Sequence, residues 1–123
     1  MRSLARDLGD ALGVPAHLTA LRRIASGAFS LTDAVAPEEV TADHLLPLEE
    51  VASRVLPTRR LTAEGVAHAR CGGPMREGDF EHMGEDVPTA WLSPSGELVA
   101  IGSQPEGSPA RVIRGFRTVE PAQ

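Results

Sequence analysis

The side chains of this protein that are best suited to bind anions are its arginines. All twelve basic residues are arginine, and the sequence contains no lysine. A guanidinium group stays charged and donates forked hydrogen bonds that fit a phosphate or a carboxylate. The arginines concentrate in residues 1–23, 59–76 and 98–123, which alternate with the acidic blocks 24–58 and 77–97. The three basic blocks could fold into one anion-binding face, although charge alone favours a mixed, solvated surface.

Other chemistry-bearing residues give weaker signals. His68, Cys71 and His82 have the residue types of a zinc site, but three scattered ligands without a fourth are weak evidence, and no metal is predicted. The acidic pairs at 38–39 and 49–50 precede apolar stretches, where helix N-termini favour acids, so they do not predict an acid–base pair. The sequence contains no GxSxG, P-loop or GxGxxG motif.

Composition limits the class of protein. The 123 residues are enough for one ordinary domain or two small units, and the net charge of -5 argues against general nucleic-acid binding. No run of about 18 apolar residues predicts a membrane span, and no secretory signal precedes the first helix. A single cysteine, Cys71, excludes an internal disulfide and is typical of the reducing cytosol. A cytoplasmic protein without a membrane partner is therefore expected.

The N-terminal part of the sequence predicts a helix and then a strand. Apolar residues recur at helical spacing within residues 3–12, and Gly13 supplies a C-terminal stop. Residues 16–24 alternate in a way that predicts a strand, on which the consecutive Arg22 and Arg23 point to opposite faces.

Two prolines mark the helical connector that follows. Pro37 is followed directly by two glutamates, and Pro47 is followed by Leu48 and then two glutamates. Each stretch predicts the first turn of a helix. The second helix is expected to end near Leu56. Residues 57–60 are the predicted boundary between two units.

The remaining sequence predicts one helix and three strands. Thr62 is expected to cap a helix from Ala63 to about Arg70, which the Gly72-Gly73-Pro74 stretch terminates. The acidic residues 76–88 lack periodicity and predict a loop. A hairpin and a final strand complete the elements: Thr89–Ser93, Glu97–Ser103 and Arg111–Arg117. The expected fold class is α+β.

One resemblance goes further than these patterns. Residues 1–31 resemble a segment of the bacterial TruB-type tRNA pseudouridine synthases that reads YIRSLARDLG, LG, AHLTALRR, T, SG, PF and a Leu. Ile24 and Ala28 depart from this pattern at positions usually Thr and Pro. The matching stretches in this chain are Arg2–Gly9, Leu12-Gly13, Ala16–Arg23, Ser26-Gly27, Phe29 and Leu31.

Weaker similarity to the same family covers residues 45–117. The stretches LLPLEEV, RLTAEG, RCGGPM, WLSPSGELVAIG and ARVIRGF resemble its connector and its small C-terminal PUA-like domain. The long acidic loop and the exclusive use of arginine are similar to actinobacterial members. The resemblance implies the C-terminal edge of a catalytic domain plus connector over 1–57, followed by a PUA-like β-barrel domain over 58–123.

The resemblance also implies a reaction. Members of this family isomerise uridine 55 in the T-loop of tRNA to pseudouridine, without metal or organic cofactor, after flipping the base into a pocket. Their catalytic aspartate lies in a motif of the type GTLDPxATG, and nothing like it occurs in this sequence. The expectation is therefore a part of such an enzyme that contributes RNA binding and part of the active-site wall, and that is inactive alone.

The resemblance carries over to only a few residues. Arg2 matches the arginine that pairs with the family's catalytic aspartate, and Leu21 matches an apolar residue that packs on the target base. The expected RNA contacts are all arginines: Arg22, Arg23, Arg59, Arg60, Arg70 and Arg114. The expected partners are the T-arm of tRNA and the missing N-terminal catalytic part. The alternatives are a stand-alone, non-enzymatic RNA-binding module and one half of a split enzyme.

Overall fold

The computed structural model describes residues 1–82 and 87–117, and the chain divides into two units at Ala34 and Val35. The predicted acidic loop over 76–88 includes four residues, 83–86, that lie outside the described part. Helices and small sheets occur in both sequence halves, which confirms the α+β class.

The first unit consists of a helix and a small hairpin. The helix α1 spans Arg2–Leu12, as the periodicity predicts, and Gly13 ends it in the left-handed conformation with φ 72°. The strands β1 (Ala25–Ser26) and β2 (Phe29–Ser30) then pair in antiparallel fashion. A short 3-10 turn at Leu31–Asp33 completes the unit.

Gly9 has a packing role that its unfavourable helix propensity does not reveal. It is the buried residue of α1, and a Cβ atom there would lie 2.7 Å from the carbonyl oxygen of Val14 and 2.9 Å from the Cβ of Ala16. The chain therefore folds back tightly against the helix just after Gly13, and Val14 donates its N–H to the Gly9 carbonyl at 3.0 Å. Only glycine permits this close approach.

The predicted strand over residues 16–24 is wrong. These residues form no strand, and all their side chains are exposed. An alternating pattern becomes a strand only when a neighbouring strand accepts and donates its backbone hydrogen bonds. The two small sheets of the described residues supply no such neighbour for this segment.

The connector contains one helix and two turns. The helix α2 spans Leu48–Val55 directly after Pro47, and Leu56 follows it as predicted. Ala42–His44 forms a 3-10 turn. The predicted helix after Pro37 is only a turn, closed by the Glu39 N–H and the Ala36 carbonyl at 2.9 Å. Its stretch offers few apolar residues to bury, and short helices depend on such packing.

The second unit is built on a four-stranded sheet with the order β3-β4-β5-β6. The edge strand β3 (Thr58–Arg60) runs parallel to β4 (Thr89–Leu92), and the other neighbours are antiparallel. The hairpin of β4 and β5 (Leu98–Ser103) and the final strand β6 (Arg111–Gly115) confirm the predicted strands. Closure of this sheet into the implied barrel stays a prediction.

The helix α3 spans Ala63–Cys71 between β3 and β4. The Thr62 hydroxyl accepts the Gly65 N–H at 3.1 Å, which confirms the predicted cap. Gly72 ends the helix in the left-handed conformation, again as predicted.

Both faces of the sheet bury apolar side chains. Trp91 and Leu61 are fully buried at the centre of the larger cluster, which includes Ala69 of α3. On the other side, Ala52 of α2 packs with Ala90 and Leu98. Adjacent residues on β4 thus serve opposite faces, as the alternation of a strand requires. The predicted domain boundary at 57–60 falls at β3 and stays a prediction.

No helix in residues 1–82 or 87–117 is both long enough and apolar enough to cross a bilayer.

Candidate nucleic-acid interface

The implied active-site residues lie in the first unit and are solvent-exposed. Arg2 is the first residue of α1, and its side chain is exposed. Leu21 is 64% exposed within the segment that follows the helix. Arg22 and Arg23 are exposed beside it. The assigned roles of these four residues stay predictions.

Two neighbouring arginines of β3 have opposite environments. Arg59 is only 9% exposed, whereas Arg60 is exposed and donates a long hydrogen bond of 3.4 Å to the Pro94 carbonyl. The alternation of side chains along a strand explains this difference, because one arginine faces the unit and the other faces solvent.

Arg59 is held by several contacts. Its Nη1 donates to Gln104 Oε1 at 3.0 Å and its Nη2 donates to the His82 carbonyl at 3.1 Å. The guanidinium carbon lies 3.7 Å from the centroid of the Phe80 ring, which in turn meets Trp91 edge-to-face at 4.9 Å. Burial lowers the pKa of the guanidinium. Such contacts make Arg59 part of the packing, and its expected contact with a phosphate stays a prediction.

The remaining predicted arginines are exposed at separate places. Arg70 lies in the last turn of α3, and Arg114 lies on β6. The strand order places Arg60 and Arg114 on opposite edges of the sheet, and those edges lie about 14 Å apart at a spacing of about 4.8 Å per strand. One phosphate cannot bridge that distance. The exposed arginines can instead contact different phosphates of one extended polyanion.

An irregularity in β6 determines which of its residues face solvent. The register between β5 and β6 shifts between Ile101 and Gly102, so that Ile113 has no partner of its own. This bulge leaves Ile113 and Arg114 both exposed, although alternation would bury one of them. Because of this bulge, the sequence alone does not predict which face of β6 is buried.

A charged cluster beside α3 was not predicted. The His68 Nδ1 lies 2.8 Å from Asp79 Oδ1, and Asp79 Oδ2 accepts the Arg76 N–H at 2.7 Å. The Asp79 side chain is 3% exposed, whereas that of His68 is 32% exposed. Asp79 lies in the aperiodic acidic stretch, so no signal in the sequence distinguishes it from its exposed neighbours.

The same geometry changes the interpretation of the zinc-type residues. His68 forms a hydrogen bond with Asp79, and the backbone carbonyl of His82 accepts a hydrogen bond from Arg59. Cys71 is an exposed free thiol. Within residues 1–82 and 87–117, no group of three or more His, Cys, Asp or Glu side chains is close enough to hold a metal ion.

Two shallow clefts flank Arg76. A cleft of about 430 Å³ lies on the side of Arg59, Phe80 and Gln104. A groove of about 410 Å³ lies on the side of His68 and Cys71. Arg76 lines both clefts.

The sequence comparisons relate this chain to a known family. The pattern of the tRNA pseudouridylate synthase B C-terminal domain matches residues 2–61, which includes the stretch of strongest resemblance. The tRNA pseudouridine synthase B of Dinoroseobacter shibae is 42% identical over 93% of this chain, and that of Thermobifida fusca is 35% identical over 92%. This chain matches the C-terminal portion of tRNA pseudouridine synthase B.

The chain spans about two-fifths of the synthase B sequences that it matches: 40% of the Dinoroseobacter shibae protein and 37% of the Thermobifida fusca protein. The family match confirms the expectation drawn from residues 1–31 and 45–117. The roles of individual residues, by contrast, are not tested by overall identity.

Solved structures share the fold. A chain in an H/ACA RNP bound to a substrate RNA containing 2'-deoxyuridine superimposes with a TM-score of 0.69 at 22% identity, covering 95% of this chain and 46% of that one. A chain of the archaeal box H/ACA sRNP Nop10–Cbf5 complex superimposes with a TM-score of 0.67 at 22% identity, covering 94% and 47%. At this identity the likeness establishes the fold alone.

Proposed function

We propose that this chain is the C-terminal part of an enzyme that isomerises uridine 55 in the T-loop of tRNA to pseudouridine. Its role is to bind the T-arm and to form part of the active-site wall. The observation that carries the proposal is the 42% identity to a tRNA pseudouridine synthase B over 93% of the chain. The exposed arginines Arg60, Arg70 and Arg114 supply the positive charge for phosphate contacts.

The proposed roles in the first unit follow the family pattern. Arg2 pairs with the catalytic aspartate of the rest of the enzyme, where its permanent charge keeps the carboxylate ionised and oriented. Leu21 packs against the flipped base. Both side chains are exposed in this chain, which leaves them available for these contacts.

The exposed apolar stripe of α1 supports a partner for the first unit. Leu4, Leu8 and Leu12 are 62%, 57% and 68% exposed, although helical spacing places them on one side of the helix. Such a stripe is normally covered. The N-terminal catalytic part of the enzyme is the proposed cover, and the sequences of the relatives are long enough to contain it.

The isolated chain is proposed to be inactive. Its 123 residues contain no segment like GTLDPxATG, and therefore no aspartate in the context of the family's nucleophile. Incubating the purified chain with a T-arm RNA and measuring pseudouridine tests this directly. Formation of pseudouridine by the chain alone would contradict the proposal.

Complementation is the positive form of the same experiment. The chain is co-expressed with the N-terminal part of the Dinoroseobacter shibae synthase, whose C-terminal part is 42% identical to it. We expect the two chains to co-purify and to modify the T-arm RNA. Substitution Arg2→Gln should then abolish most activity without preventing co-purification, whereas Arg6→Gln on the same exposed helix serves as the control.

A second candidate function is a non-enzymatic RNA-binding module. The self-contained core around Trp91 and Leu61 favours it, because the second unit buries its own apolar side chains. Filter binding of T-arm RNA at two salt concentrations, followed by the complementation assay, separates the candidates. Salt-dependent binding without complementation would favour the module, and a salt slope near zero would contradict both.

A further inference from the structure

The cluster beside α3 contains a buried carboxylate with a half-exposed histidine above it. The Asp79 backbone is fixed by two further hydrogen bonds, from the Thr62 N–H to its carbonyl at 2.9 Å and from its own N–H to the Arg76 carbonyl at 3.2 Å. A Cβ on Gly65 would collide with the Asp79 carbonyl, so glycine is required at this point of α3. These contacts fix the Asp79 backbone, and the hydrogen bonds to His68 and to the Arg76 N–H hold its carboxylate.

Asp79 remains ionised in this position. Burial acts to raise the pKa of its carboxyl, but the hydrogen bonds from the Arg76 N–H and from His68, together with the charges of His68 and Arg76, outweigh it, and the pKa lies below its ordinary value. An ionised Asp79 accepts a hydrogen bond from the His68 Nδ1–H, so it fixes the ring orientation. The other ring nitrogen, Nε2, lies on the opposite edge of the imidazole.

His68 and Arg76 line the same groove. Its remaining lining residues carry no formal charge: Cys71, Gly73, Pro74, Met75 and Pro109. Among residues 1–82 and 87–117, the titratable or charged groups near the ring are Asp79 and Arg76 from the loop and Cys71 from α3, with Glu64 one helical turn before His68. The segment before β6 contributes only Pro109.

The charge of this cluster depends on one proton. With neutral His68, the charges of Arg76 and Asp79 cancel, and the groove carries no net charge from the three residues. With protonated His68, the three residues carry a net charge of one positive unit, and both Arg76 and the His68 Nε2–H can donate to an anion.

We propose that His68 and Arg76 form a phosphate-binding site whose affinity for the RNA backbone rises when His68 is protonated. The site deepens the proposed RNA-binding function and rests on it. Asp79 acts as a positioning residue, because it is buried and holds the ring without contacting the phosphate.

The test compares binding of T-arm RNA by the full chain at about pH 5.5 and about pH 7.5 at constant ionic strength. We expect the wild-type chain to bind the RNA more tightly at the lower pH. In His68→Gln this gain in affinity should be about threefold smaller, which is the contribution of one exposed ion pair. Glutamine preserves a donor toward Asp79. His44→Gln is the matched control, since His44 is an exposed histidine of the same unit that bonds only within its own turn, to Thr41.

Arg76→Gln gives a complementary expectation. It should weaken binding at both pH values by about threefold, because arginine stays charged throughout. The proposal is overturned if His68→Gln and His44→Gln show the same pH dependence as the wild-type chain while RNA binding itself persists. Absence of RNA binding at both pH values would instead overturn the proposed function.

A measurement on the wild-type chain covers the case in which a variant fails to fold. The ring resonances of the histidines are titrated by NMR with and without T-arm RNA. A phosphate contact raises the pH midpoint of the His68 resonance when RNA is bound, and leaves that of His44 unchanged. Equal behaviour of the two rings would overturn the proposal.

Discussion

The two units of this chain differ in how many of their apolar side chains are fully buried. In the first, the stripe of α1 is mostly exposed, with Leu8 57% exposed at its middle. In the second, α2 and α3 lie against opposite faces of a sheet, and Leu61 and Trp91 at its centre are fully buried. The buried residues Ala52 of α2 and Ala69 of α3 belong to the two apolar clusters of that sheet.

This difference shows where the information for folding resides. The second unit contains both sides of its own apolar core. The first unit leaves the apolar stripe of α1 exposed, as we expect for its proposed place at the edge of a larger catalytic domain. The comparison predicts how sensitive each unit is to substitution.

The largest effect is expected at the centre of the second unit. Trp91 is fully buried against Phe80 and Gly102, so Trp91→Ala should lower the free energy of unfolding by about 3–5 kcal/mol. Urea unfolding followed by far-UV circular dichroism measures this. Val40→Ala, at a 60% exposed position of the same unit, is the control and should cost little. Equal losses of stability for Trp91→Ala and Val40→Ala would contradict the proposed difference between buried and exposed positions.

A smaller effect, with a pH signature, is expected at Asp79. Because the pKa of this carboxyl is lower in the folded chain, the ionised group stabilises the fold above its ordinary pKa of 3.8, and this stabilisation is lost as the pH falls toward the folded value. Asp79→Asn should cost about 1–3 kcal/mol at neutral pH and remove that part of the acid dependence. Urea unfolding at several pH values tests both. An unchanged acid dependence would contradict the assignment.

The adjacent arginines of β3 separate stability from binding. Arg59→Gln should cost about 1–2 kcal/mol, because it breaks the buried contacts with Gln104 and Phe80. Arg60→Gln should leave stability nearly unchanged and reduce the salt slope of T-arm RNA binding by about 0.7–0.9. Thermal unfolding and filter binding on both variants distinguish the roles. A larger loss of salt slope for Arg59→Gln would reverse them.

The smallest effect on the isolated chain is expected at α1. Leu8→Ala should change its stability by less than about 0.5 kcal/mol, because the side chain is already exposed. The same substitution should weaken co-purification with the N-terminal part of a synthase. A strong destabilisation of the isolated chain would show that the first unit has a core of its own and would remove the contrast between the units.

Local signals in the sequence predicted those elements that depend on local chemistry. The capped helix after Thr62, the stop at Gly13 and the hairpin around Gly96 need only neighbouring residues, and the structure has all three. The strand over 16–24 was wrong because its stability depends on a partner strand. The strand β3, which lies at a predicted boundary, was not predicted because three residues are too few to show the alternation of a strand.

Some features of the candidate site are also predictable from the sequence, whereas others depend on the fold. The arginines were visible as a residue type, but which of Arg59 and Arg60 is buried depends on the face that β3 turns to the core. The partnership of His68 with Asp79 spans a helix end and a loop, and no spacing rule connects them. Family resemblance identified the chain, whereas the charge arrangement beside α3 required coordinates.

The parallel pairing of β3 with β4 has a consequence for the order in which the protein assembles. Thr58 aligns with Ala90, far along the chain, whereas Trp91 aligns with Ala100 across a tight turn. Closing a long loop costs more entropy than closing a hairpin, so we expect β4 and β5 to pair early and β3 to join late. During synthesis, β3 therefore leaves the ribosome before β4 has been made. We expect Arg59 to stay exposed to solvent until the hairpin of β4 and β5 has formed and β3 has paired with it.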